Sequence, residues 1–337
     1  MRFLKLLFTL FIYGITLAAL GAAAGAGYVA YMYEKKGPLE EATLVQIPHG
    51  TSIRGVAEIL LSEGVLKDKN DATVFHVSGR ISGDASKLKA GEYEIEPHAT
   101  MGEVMVQLIE GKTFTRQITI REGLTNHEVA DILLAQDDLE KVKVEMLPEG
   151  RLLPETYSYA LGDSNADIIN RMASALDKVL DEAWAKRADN LPIKTKEEAL
   201  VLASIIEKET AVPSERRRVA GVFINRLRKG MLLQTDPTVI YALTLGKHEN
   251  EGQGPLGRRL LTKDLKYDSP YNTYLYAGLP PGPIANPGKA SIEAALNPED
   301  HNYIYFVADG SGGHAFARTL NEHNANVAKW RKIRKAQ

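Results

Sequence analysis

From Leu6 to Tyr33 the chain carries no charged residue, and that run sets the first limit on what it can fold into. At about 1.5 Å per residue the run exceeds the roughly 30 Å of hydrocarbon in a bilayer, so as a helix it spans with some tilt. Arg2 and Lys5 precede it on a very short leader, which favours a cytoplasmic N-terminus and leaves about 300 residues on the other side. The competing reading is a cleavable signal peptide, for which Gly21-Ala22-Ala23-Ala24-Gly25-Ala26 offers small residues. Tyr28, Tyr31 and Tyr33 extend the uncharged run beyond that stretch, and interfacial tyrosines suit a retained anchor.

The rest of the chain is long enough for two or three modules with cores of their own. Hydrophobic residues make up 44% and charged residues 25%, which is globular composition. There is no cysteine, so disulfides and thiolate metal sites are excluded. The net charge of -2 gives no footprint for a nucleic-acid binder. No two of the eight histidines have His-x-x-x-His spacing, and neither a metal nor any other cofactor is expected.

Glu34 to Glu41 reads as a short polar linker. A weak internal repeat follows it: Gly50 to Leu61 and Gly123 to Leu134 agree at six of twelve positions. Each copy follows a strand-like stretch, Leu44–Ile47 or Gln117–Ile120, and then shows helical spacing of its apolar residues, so the unit is strand, turn, helix. The pattern resembles the LysM sugar-binding module, and it also fits a common βα unit with no ligand affinity. Lys87 to Ile95 and Met101 to Glu110 read as a strand and a helix, so that residues 42–115 form one compact module.

Thr195-Lys196-Glu197-Glu198 is a capping box, in which the Thr hydroxyl and the Glu carboxylate satisfy the first free N–H groups of a helix. The helix stops before Pro213. At about 100° per residue Glu209 shares a face with Leu202, Ile205 and Ile206, whereas Glu207 follows Leu200, Ala203 and Ser204 and reads as the solvated partner. A carboxyl against apolar side chains is harder to ionise and can serve as a general acid. The plain alternative is a glutamate at a helix end paired with Arg216, Arg217 or Arg218.

Ser214 to Leu227 reads as a second amphipathic helix, with Val219, Val222, Phe223 and Leu227 inward and Gly230 closing it. Beyond it, Gln234, Thr235, Asp236, Thr238 and Tyr241, then Tyr271, Asn272 and Tyr274, and then Asn286 within a Gly-Pro-rich stretch from Gly278 bring amides, hydroxyls and tyrosines together. That density suits a groove that hydrogen-bonds sugar hydroxyls and stacks on their apolar faces. Asp236-Pro237 also reads as the start of the helix that begins at Thr238, and the Gly-Pro stretch as a connector. Tyr303–Val307 reads as a core strand that turns back into His314-Ala315-Phe316, where His314 can face the cleft but reads first as a structural histidine.

Five segments together resemble the endolytic murein transglycosylases of the MltG (YceG-like) type: Ala203–Thr210, Val219–Leu227, Gln234–Thr238, Tyr271–Tyr274 and Gly278–Ile284. The resemblance implies an α+β protein with one N-terminal transmembrane helix, LysM-like βα modules and an α+β catalytic domain with a lysozyme-like transglycosylase core. Residues 1–36 would form the cytoplasmic tip and anchor, 37–115 the LysM-like module, 116–165 a second strand-helix unit and connector, and 166–337 the catalytic domain. It further implies cleavage of the bond between N-acetylmuramic acid and N-acetylglucosamine to leave 1,6-anhydro ends. Glu209 would be the catalytic acid and base, with Glu207 the second candidate. Peptidoglycan strands are the implied substrate, peptidoglycan synthases (penicillin-binding proteins) the partners, and the inner membrane the location. A lysozyme-type hydrolase using Asp236 and a wall-binding scaffold stay open beside it.

Overall fold

The computed structural model describes residues 2–247 and 256–336. The chain divides into two compact units, 1–116 and 117–337. Residues 117–165 lie within the second unit.

In the first unit, helix α1 (Arg2–Glu34) contains the uncharged run and is long and apolar enough over Lys5–Glu34 to cross a membrane. Strand β1 (Thr43–Ile47), helices α2 (Ile53–Ser62) and α3 (Lys69–Ile81), strand β2 (Gly91–Ile95) and helix α4 (Met101–Glu110) follow. The β1 and β2 strands pair antiparallel, with Val45 opposite Tyr93. Alternation sends Val45, Ile47, Tyr93 and Ile95 inward, where they meet Val56, Leu60 and Phe75. Sequence periodicity did not single out α3; its polar composition hides a buried face reduced to Asp71, Phe75 and Gly79.

The second unit opens with β3 (Arg116–Thr119) and α5 (Asn126–Leu134), then β4 (Thr156–Tyr159), which pairs with β3, and α6 (Asn165–Ala185). The two repeat copies thus fold alike, as strand, turn and helix. Gly50 and Gly123 both adopt φ of +77° at the turn, a conformation that glycine enters without a Cβ penalty. Ser52 and Thr125 cap the following helices.

Helices α7 (Lys196–Glu209), α8 (Arg216–Arg228), α9 (Asp236–Thr244) and α10 (Lys289–Leu296) build the main core of this unit. Strands β5 (Tyr305–Ala308) and β6 (His314–Ala317) form an antiparallel hairpin, and α11 (Leu320–Ala336) closes the chain. Every residue of α7 from Ala199 to Ile206 is buried. The Thr195 hydroxyl accepts from the Glu198 N–H as expected, but the Glu198 carboxylate takes the Lys194 N–H, so the capping box is only half formed.

Candidate active site

Helix α7 delivers two carboxylates into different surroundings. Glu207 is not solvated: its side chain is 6% exposed, and Arg216 Nη2 lies 3.4 Å from its Oε1. Its Oε2 accepts the Gly288 N–H at 2.9 Å. Arg216 also reaches Glu122, at 3.6 Å, and burial followed by the nearby Glu207 charge raises the Glu122 pKa. Glu122 fits there because position 288 is glycine; a Cβ would stand 1.8 Å from its Oε1. The helical-wheel argument failed for Glu207 because α7 is covered on all sides, so a small-residue face is buried as completely as a large one.

Glu209 makes no ion pair among the described residues. Arg216 instead pairs with Glu207 and Glu122, Arg218 with Glu299 at 3.0 Å, and Arg217 Nε donates to the Asn297 carbonyl. Burial is the main influence on Glu209 and raises its pKa; the nearby Asp236 charge adds to this, whereas Thr235, His314 and Arg226 favour ionisation. The Thr235 hydroxyl is buried and has no hydrogen-bond partner among the described residues. The site thus holds a carboxyl toward its neutral form and surrounds it with groups that can accept its charge once a proton leaves.

Arg226 is the member that the sequence reading passed over. It is 7% exposed, with Nε donating to the Ile304 carbonyl at 2.7 Å and Nη1 to that of Leu233 at 2.6 Å. Its guanidinium lies over the Tyr305 ring, 5.4 Å from the centroid, and its charge acts on Glu209. The signal was present in the sequence: Arg226 follows Val219, Val222 and Phe223 by seven, four and three residues, on the inward face. His314 is fixed at 2.8 Å from Glu215 through Nδ1, and its backbone N–H donates to the same carboxylate.

The expected sugar-binding residues divide into two groups. Gln234 and Asp236 are exposed and Tyr274 is partly buried; the Tyr274 hydroxyl donates to Asp236 at 2.6 Å. Gln234 adopts φ of +51°, uncommon for a side chain of its size. Thr235, rather than Asp236, stands at the N-cap of α9, which leaves the Asp236 carboxylate for Tyr274. Tyr241 and Tyr271 pack ring to ring at 4.9 Å, both partly buried.

Thr238, Asn272 and Asn286 are fully buried, and their polar atoms are engaged within the chain. The Thr238 hydroxyl donates to the Thr235 carbonyl and meets Thr273. The Asn272 amide donates to the Leu265 and Tyr267 carbonyls and its oxygen accepts from Tyr274 N–H. The Asn286 amide donates to the Leu124 carbonyl and to Asn126 Oδ1, while its oxygen accepts the Leu152 N–H. These three tie together the backbone segments around them. The Gly-Pro stretch is accordingly no mere connector, since Ile284 N–H donates to Ser204 Oγ at 3.0 Å and Gly288 N–H to Glu207.

Glu149, which no motif or spacing singles out, is a further buried carboxyl, with its pKa pushed up to about 7 mainly by burial. Its Oε1 accepts the Asn126 N–H at 2.8 Å and its Oε2 lies 3.5 Å from the Tyr241 hydroxyl. Among the described residues no group of three or more histidine, aspartate or glutamate side chains is placed to hold a metal.

The family model of the YceG-like family matches residues 45–329, and the chain belongs to that family. It is 34% identical over 318 residues to a Bacillus subtilis protein named endolytic murein transglycosylase, covering 85% of this chain and 84% of that protein. A Streptococcus pneumoniae protein of the same name is 29% identical over 368 residues, covering 93% of this chain and 64% of its own length. The crystal structure of a yceG-like protein from Listeria monocytogenes matches 85% of this chain and 99% of its own at a TM-score of 0.51 and 35% identity.

Proposed function

We propose that this chain is an endolytic murein transglycosylase that cleaves peptidoglycan strands with Glu209 as its acid and base. The observation that carries the reading is the Glu209 carboxyl at the end of the buried α7, held toward its protonated form, in a chain of the YceG-like family whose curated relatives bear that name. Glu209 protonates the glycosidic oxygen, and the bond from that oxygen to C1 of the muramoyl residue breaks. The carboxylate so formed takes the proton of the same residue's C6 hydroxyl as that oxygen attacks C1. The product is a 1,6-anhydro end, Glu209 is again protonated, and no water is consumed. Arg226, Thr235 and His314 support the step in which Glu209 carries charge. One positioned proton-transfer group is worth about 10² to 10⁴ in rate; the groove supplies the rest by stabilising the oxocarbenium-like state.

Gln234, Asp236, Tyr241, Tyr271 and Tyr274 are the side chains we assign to the glycan groove. The antiparallel β1–β2 pair with α2 and α3 between its strands supports a LysM-like glycan-binding module, and the buried α7 with its terminal glutamate supports a lysozyme-like core. In this reading α1 anchors the chain in the cytoplasmic membrane with the N-terminus inside, peptidoglycan synthases are the partners, and cleavage ends strand elongation.

A second reading, a muramidase with Asp236 as second carboxylate, has in its favour that the Asp236 charge acts on Glu209. Mass spectrometry of the products released from intact peptidoglycan separates the two. Anhydromuramoyl ends that vanish with Glu209→Gln are expected. Reducing ends would establish the hydrolase, and unchanged function in the variant would leave only a scaffold.

A further inference from the structure

The uncharged run from Leu6 to Tyr33 holds 28 residues, about 42 Å as a helix, whereas about 20 residues cross the hydrocarbon. Roughly the last eight residues therefore stand at headgroup depth on the far side. There α3 crosses α1: Asn70 Nδ2 donates to the Tyr28 hydroxyl at 2.7 Å, and the Tyr33 hydroxyl meets Ser78 Oγ at 2.8 Å. Beside these contacts an open groove of about 710 Å³ remains, lined mainly by Gly25, Ala26 and Val29 of α1 and by Val74, Val77 and Ile81 of α3, with Ser82 and Asp84 also on its wall.

The groove follows from the sequence. Small residues thin α1 at this level, so nothing lies within 4 Å of where a Cβ on Gly25 would stand, and α3 does not reach across. On its outer lip Val77 is 43% and Ile81 83% exposed. Such a surface is costly to hydrate, yet it is continuous with a helix whose own surface is apolar throughout. Lys69 and Arg80, exposed on the same α3, suit an anionic headgroup layer.

We propose that the groove and the Val77–Ile81 edge of α3 lie in the surface of the bilayer that α1 spans, with phospholipid acyl chains filling the groove. The first unit is then seated on the membrane, not merely tethered to it. This rests on α1 being a membrane span, and the test separates the two claims.

The chain has no cysteine, so single-cysteine variants of the full-length protein can each carry one environment-sensitive NBD label. Ile81→Cys, Glu58→Cys on α2 and Ala18→Cys in α1 are reconstituted into phosphatidylethanolamine–phosphatidylglycerol vesicles. The label at position 81 should show blue-shifted emission and be quenched by acyl-chain spin-labelled phospholipid, as at 18, while position 58 shows neither. Emission at 81 matching that at 58 overturns the proposal. A blue shift at 81 without lipid quenching also overturns it, because protein, such as a second copy of the chain, would then be the cover. Absence of quenching at 18 would instead remove the anchor, and the seated unit with it.

Discussion

Glu207 and Glu209 leave the same buried helix two residues apart and meet opposite surroundings. Around Glu207 the chain supplies a guanidinium and a backbone N–H, so the side chain is a strut between α7, α8 and the backbone at Gly288. Around Glu209 no cation among the described residues is in ion-pair contact, and burial dominates. Burial without a direct counter-charge disfavours the ionised form of a carboxyl, which is what a general acid requires. Arg226 shows how fine the distinction is, because its charge acts on Glu209 while its donors are committed to backbone carbonyls.

The strongest way to break that comparison is Glu209→Gln. Turnover of peptidoglycan should fall by about 10² to 10⁴ with the thermal transition retained; a loss no larger than that of Glu207→Gln would reverse the assignment. In the parent enzyme, activity should decline as pH rises through the raised Glu209 pKa, because the acid form is then lost, and the midpoint should lie above the ordinary glutamate value.

Glu149 separates burial from catalysis. With its pKa raised from 4.5 to about 7, the folded state keeps a proton that the unfolded state has released, so stability should fall as pH rises from 4.5 toward 7 and then level off. The total is at most about 3 kcal/mol. Thermal melts of Glu149→Gln across that window should be flatter than those of the parent; an equal slope would mean that Glu149 is ionised when folded.

Glu207→Gln tests the strut. It leaves Arg216 with only Glu122, and a loss of about 2 kcal/mol in stability is expected, below the figure for breaking a fully dry pair because the 3.4 Å contact is long and Gln can still accept the Gly288 N–H. Chemical denaturation reads it, and activity per folded molecule should stay near the parent value. The smallest effect is expected for Tyr274→Phe, which removes the 2.6 Å bond to Asp236. About 1 kcal/mol is at stake, seen as a modest rise in KM for glycan; an unchanged KM would take Asp236 and Tyr274 out of the groove.

Much of the fold was open to reading wherever local chemistry sufficed. Capping residues, glycine turns and apolar spacing located α2, α4, α5, α7, α8 and the β5–β6 hairpin, because each signal acts within a few residues of its cause. The α3 helix was missed for want of a broad apolar stripe, and Glu149 because nothing local marks a loop glutamate for burial.

The sequence by itself determined the long apolar N-terminal helix, the repeated strand-turn-helix units, the absence of disulfides and the helix that ends in Glu-Lys-Glu. Only the tertiary structure decided which polar residues are spent on the chain's own backbone. Asn272, Asn286 and Thr238 have the composition of ligand-binding residues, yet buried backbone groups brought from up to 162 residues away require their hydrogen bonds. The same holds for the two glutamates: which one lacks an ion partner depends on where Arg216 and the Gly288 N–H arrive, and that is fixed by packing, not by spacing along α7.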